Sequence, residues 1–98
     1  MYSYEQITLD GIGYEIRHLR QEFDAARPRA LSVRPIDPAY PTLRDGWWNV
    51  DLCGRVYWSY QRTIIPNRLA EACKLWMSTD GYQDMSLRDF LTSLGVLE

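Results

Sequence analysis

The sequence predicts an α+β domain: a small antiparallel β-sheet made of two hairpins and a short edge strand, packed against two C-terminal α-helices. Three observations predict it. Asp10-Gly11 sits between alternating apolar positions, Cys53-Gly54 sits in a stretch rich in aromatic and β-branched residues, and two apolar stripes at helical spacing follow Pro66. Strands first and helices last give one layer of each, with the apolar face of the sheet under the helices.

The first hairpin spans Tyr4 to Ile16. Asp10 and Gly11 both accept positive φ, which a two-residue turn demands. Closing there sets Leu9 opposite Ile12, Ile7 opposite Tyr14 and Glu5 opposite Ile16. Ile7, Leu9, Ile12, Tyr14 and Ile16 then share one face, the expected core side. A helical reading competes, because Ser3 and Gln6 have capping-box spacing and Ile16, Leu19, Phe23 and Ala26 recur at helical intervals. Against a helix-turn-helix, the steps from Ile12 to Ile16 to Leu19 are each one residue short, and Gly11 and Gly13 stand in the expected turn. The hairpin is preferred, and Arg17 to Ala26 stays open between strand and helix.

Residues 27–46 hold Pro28, Pro35, Pro38, Pro41 and Gly46. Each proline fixes φ and removes a donor, so this stretch reads as a long crossing loop and not as a central strand or helix interior. Ala30 to Arg34 alone alternates well enough to form a short strand, expected at a sheet edge.

The second hairpin spans Trp47 to Gln61. A three-residue loop, Leu52-Cys53-Gly54, places Gly54 in the left-handed position of a bulged turn and keeps the apolar faces matched. Asp51 then faces Arg55, Val50 faces Val56, and Trp48 faces Trp58. Trp48, Val50, Val56, Trp58 and Tyr60 form the core face. Trp47, Asn49, Tyr57, Ser59 and Gln61 form the other.

After Pro66, Asn67 is placed to cap a helix whose stripe is Leu69, Ala72, Cys73 and Trp76. Ser86 with Asp89 has capping spacing before Leu87, Phe90, Leu91 and Leu94, and Gly95 is positioned as the stop.

Composition bounds the rest. A chain of 98 residues, 46% hydrophobic, supports a single core over residues 1–98. No apolar run approaches the ~20 residues that span a bilayer. The segment from Met1 to Glu5 lacks a basic region followed by an apolar one, so a cytoplasmic location is expected. Cys53 and Cys73 are too few for a disulfide scaffold and read as free thiols.

A formal net charge of −2 disfavours a protein whose affinity comes from neutralising many phosphates. The basic residues are all arginine except Lys74, a skew that either a GC-rich genome or a recognition role explains. They are distributed unevenly. Arg17, Arg20, Arg27, Arg29 and Arg34 outnumber Glu22 and Asp24, whereas Glu71, Asp80, Asp84, Asp89 and Glu98 outnumber Lys74 and Arg88.

Catalytic inventory is thin. His18, the sole histidine, is expected at the surface in its arginine-flanked segment, which leaves a Cys-His or Ser-His pair without support. Cys73 falls on a helical stripe and reads as core, and Cys53 falls in an exposed turn. No metal-ligand spacing, dinucleotide loop or phosphate loop is found, so no enzyme, metal or cofactor is expected.

What remains is aromatic surface. Trp47 and Tyr57 are left opposite the core, flanked by Arg55 and Arg62, with Arg17 and Arg20 in the arginine-rich stretch. Large aromatics on a polar sheet face are typical partner anchors, although cover of Trp47 by the Pro-rich loop accounts for the pattern equally well. The expectation is a small non-enzymatic protein-binding or inhibitory module. Its profile is shared, as an analogy of class, by phage and mobile-element accessory proteins that act against host defence complexes. The alternative is a nucleic-acid-binding accessory factor that stacks bases on the same aromatics.

Overall fold

The computed structural model describes residues 2–19, 30–36, 46–59 and 62–97. Arg20, the helical option for residues 20–26, the prolines other than Pro35 and Pro66, and Tyr60 and Gln61 lie outside them.

Strands β1 (Tyr2–Leu9) and β2 (Ile12–Leu19) form the expected hairpin. Its turn residues, Asp10 at φ 53° and Gly11 at φ 80°, are both left-handed. The pairs Leu9–Ile12, Ile7–Tyr14 and Glu5–Ile16 follow. β2 runs on to Leu19, so Arg17 and His18 are strand residues. Ile12 shares the core face by register, yet it is exposed because it sits at the hairpin tip.

β3 (Ala30–Ile36) corrects the edge assignment. It pairs with β2 over its whole length and with β4 (Trp48–Asp51) over Ala30 to Val33, so it is the central strand of five. Pro35 is tolerated there because β4 stops pairing at Val33. Its missing N–H therefore interrupts no ladder on that side.

β4 and β5 (Val56–Trp58) close the sheet in the expected register, Trp48 with Trp58 and Val50 with Val56. Asp51 N–H bonds to the Arg55 carbonyl and Gly54 N–H to the Asp51 carbonyl, both at 3.0 Å. Gly54 is constrained twice. Its φ is 77°, and a Cβ there would come within 3.3 Å of Ser78 Cβ at the end of the first helix. The five strands form an antiparallel meander in chain order, with β1 and β5 at the edges. Edge position leaves Trp58, placed in the core from sequence, 38% exposed on the core side.

Two helices cover one face. α1 (Asn67–Ser78) starts one residue earlier than Asn67 capping implies: Pro66 holds the N-cap position and no side chain caps it. Leu69, Ala72, Cys73, Trp76 and Met77 are buried. α2 (Leu87–Ser93) is capped by the Ser86 hydroxyl, which accepts from Asp89 N–H at 3.1 Å, and it buries Leu87, Phe90 and Leu91. Gly95, at φ 75°, follows its end. Leu94, assigned to the stripe, is exposed. Under the helices lie Ile7, Leu9, Tyr14, Ile16, Leu31, Val33, Trp48 and Val50.

His18 is the second correction. Continuing the alternation of Tyr14 and Ile16 turns it inward, and it is buried. Its Nε2 lies 3.1 Å from Glu5 Oε1, and its ring meets the Trp76 ring edge-on at 5.4 Å. No helix among the described residues is long and apolar enough to cross a membrane.

Candidate functional site

The sheet face opposite the helices was the sequence-predicted binding face. Extending the β3–β4 register by one pair places Trp47 opposite Arg34. The guanidinium carbons of Arg34 and Arg17 each lie 4.2 Å from the centroid of the Trp47 ring. Arg34 is held in turn by Glu15, its cross-strand partner, at 2.8 Å. Trp47 is only 5% exposed.

Beside it, the buried Ser32 hydroxyl donates to Asn49 Oδ1 at 2.5 Å. The Asn49 amide reaches the Trp47 carbonyl at 3.0 Å, the Tyr57 carbonyl at 3.3 Å and the Ser59 hydroxyl at 3.2 Å. This network fixes the backbone on both sides of the β4–β5 ladder and satisfies its buried polar atoms.

The predicted site residues are therefore only partly brought together. Trp47 and Arg17 meet, in a stack completed by Arg34, which the sequence reading did not assign to the site. Tyr57, 45% exposed, shares this face with Arg55, whose guanidinium is turned to Asp51 at 2.9 Å. Arg62 belongs elsewhere: its guanidinium lies 4.7 Å from the ring of Trp58, on the helix side of the sheet. Arg20 lies outside the described residues. The indole predicted to be an anchor is thus covered, with two cations over its ring.

The groups considered for catalysis are spread over the helix side of the sheet and the β4–β5 turn. Glu5 and His18 border a cavity of about 200 Å³ with Ser3, Tyr4, Ser86 and Leu87. The Ser86 hydroxyl is occupied as the α2 cap. His18 Nδ1 is buried without a hydrogen-bond partner. Cys73 is buried and free, and burial, aided by the nearby Glu5 charge, pushes its thiol well up from its ordinary value. Cys53 is free and exposed. Among the described residues no cluster of His, Cys, Asp and Glu is placed to hold a metal ion.

The surface that sequence reasoning missed lies on the helical layer. Leu75, Tyr82, Met85 and Leu94 are each 40–49% exposed and line one groove of about 660 Å³ with Phe90 and the carboxylates of Asp84 and Asp89. The segment joining α1 to α2 builds its wall. The Gln83 side-chain amide caps the Trp76 and Met77 carbonyls at the end of α1. The Trp76 indole N–H donates to the Met85 carbonyl at 3.1 Å, and the Tyr82 ring packs on Phe90 at 5.0 Å. These contacts hold the groove in shape before anything binds. A signal existed in the sequence: Leu75, Tyr82 and Met85 are apolar residues left off both helical stripes.

A larger groove of about 810 Å³ borders β1 and the end of α2. Its arginines are already engaged, Arg68 with Asp10 and Arg88 with the Gln6 carbonyl. Comparison with protein-family models, curated proteins and solved structures finds no match.

Proposed function

We propose that this chain is a non-enzymatic protein-docking module, in the class of small accessory proteins that act by binding, inhibitors included. The observation that carries the reading is the convergence of Leu75, Tyr82, Met85 and Leu94 on one preformed groove. Scattered exposed apolar residues need no explanation, but a contiguous patch with a polar rim marks an interaction site. Its volume falls within the range of about 300–1,000 Å³ typical of binding clefts. This reading puts the docking surface on the helical layer instead of the sheet face.

The nucleic-acid alternative keeps Tyr57, 45% exposed, but loses Trp47 as a stacking platform. Base stacking needs a free aromatic face, and the Trp47 ring is covered by Arg17 and Arg34. Those guanidinium groups also serve the indole and, for Arg34, Glu15.

The test is recovery of partners from a native host lysate by the full chain and by a Leu75→Gln, Met85→Gln variant, with and without nuclease. Both positions are exposed, so the variant should retain the wild-type unfolding midpoint. Nuclease-resistant recovery that the variant loses by at least about tenfold is expected, since apolar anchors dominate docking energy. Nuclease-sensitive recovery promotes the nucleic-acid reading. Recovery that is equal for both chains places the interface outside the groove.

A further inference from the structure

We infer, resting on the docking reading, that the groove between α1 and α2 takes an apolar segment of another protein flanked by lysine or arginine. The inference comes from an imbalance in the described charges. Glu5 faces His18, Asp10 pairs with Arg68, Glu15 with Arg34, Asp51 with Arg55, and Glu71 with Lys74. Asp84 and Asp89 are different. Both are exposed, both line the groove, and among the described residues neither is in an ion pair. Apolar lining with two carboxylates outside any ion pair at its rim is complementary to an apolar segment carrying cations at its ends, and like-charged segments are disfavoured there.

Among the described residues, the same census favours a foreign partner over a second copy of this chain. Every arginine among the described residues is already engaged. Arg34, Arg55 and Arg68 are paired with carboxylates, Arg88 with the Gln6 carbonyl, and Arg17 and Arg62 lie over indole rings. A second copy could offer these cations only by giving up contacts inside its own fold. The groove is also preformed by Gln83, Trp76 and the Tyr82–Phe90 contact, so little ordering cost falls on this side of the complex.

The probe is a displayed peptide library with a fixed apolar centre and randomised flanks, selected on the full chain. The enriched peptides are then measured by fluorescence anisotropy against three proteins: the wild type, the Leu75→Gln, Met85→Gln variant and an Asp84→Asn, Asp89→Asn variant. Enrichment of lysine or arginine flanks is expected. The apolar variant should lose at least about tenfold in affinity, and the neutralised variant about threefold to tenfold at low salt, the range for partly exposed charge pairs.

Each other outcome overturns something specific. Enrichment without charge preference, with binding lost only in the apolar variant, overturns the cationic partner and leaves the docking reading standing. Peptides that bind the apolar variant as well as the wild type, or no enrichment at all, overturn both. Self-association seen by sedimentation and abolished by Leu75→Gln, Met85→Gln assigns the groove to a second copy instead.

Discussion

Trp47 and Trp48 are neighbours in the chain, each 5% exposed, and they are buried by different physics on opposite sides of one sheet. Trp48 faces the helices and packs in a cluster with Val33, Val50, Cys73 and Trp76, where removal of apolar surface from water supplies the stabilisation. Trp47 faces away and has the guanidinium groups of Arg17 and Arg34 over its ring. There the gain comes from the ring quadrupole meeting planar, weakly hydrated cations. Strand alternation identifies which side an aromatic is on. It does not identify whether that side is open, because cations from neighbouring strands can close it.

The largest expected effect tests the helix side. Trp48→Ala should cost about 3–5 kcal/mol, a large part of the whole stability of a small domain. Chemical denaturation checks it, and a loss under about 1 kcal/mol would take the ring out of the core.

The other side is tested by coupling. In a double-mutant cycle, Trp47→Leu and Arg34→Met should interact by about 1–2 kcal/mol, the range for a desolvated cation–π contact. The matched cycle of Trp48→Leu with Arg34→Met should be additive to within about 0.5 kcal/mol. Equal coupling in the two cycles would erase the distinction between the faces.

The same contrast explains what could be read in the sequence. Both hairpins and their registers were legible because they are local: Asp10 and Gly11 both take positive φ, and Gly54 closes a three-residue loop. So were the α1 stripe and the Ser86 cap of α2. The central place of β3 was not legible. It depends on pairing with β2 and β4 across long stretches of chain, and Pro35 argues against it until β4 is known to stop at Val33.

His18 was legible in principle, since the alternation that buries Tyr14 and Ile16 continues to it once β2 is extended past its arginine. The candidate site was the least legible part. That Arg34 would close over Trp47, that Arg62 would leave for Trp58, and that Leu75 and Leu94 would converge from two helices are facts of tertiary packing.

A smaller and more specific effect separates the two cysteines. Cys73 lies on the inner face of α1, fully buried against the sheet, and burial raises its thiol pKa. The thiolate is the reactive form, so its alkylation requires local or global opening. Cys53 is exposed in the β4–β5 turn. In the native protein Cys73 should react at least about a thousandfold more slowly than Cys53, a ratio set by an opening cost of several kcal/mol. Mass spectrometry of partially alkylated protein reads both sites. Comparable rates would mean that the helices do not seal their side of the sheet.

The smallest effect concerns Asp51, at the exposed end of β4, where neither apolar burial nor a covered ring contributes. Its carboxylate accepts from Arg55 N–H at 3.0 Å, Cys53 N–H at 2.9 Å and the Arg55 guanidinium at 2.9 Å. The backbone bond from Arg55 is the leading cause that holds its pKa below the ordinary value of 3.8, with partial desolvation opposing it. A carboxyl whose pKa is lowered by folding stabilises the fold above its unfolded pKa, and that contribution disappears as pH falls through the folded pKa. Asp51→Asn keeps the shape and removes the charge. The stability difference between wild type and variant should therefore be flat at neutral pH and shrink as pH falls below about 4. Paired urea titrations across the acid range measure it. A difference that stays constant to the lowest pH at which both chains fold would assign the role of Asp51 to turn geometry, which asparagine can also serve, and would remove charge from the account of this turn.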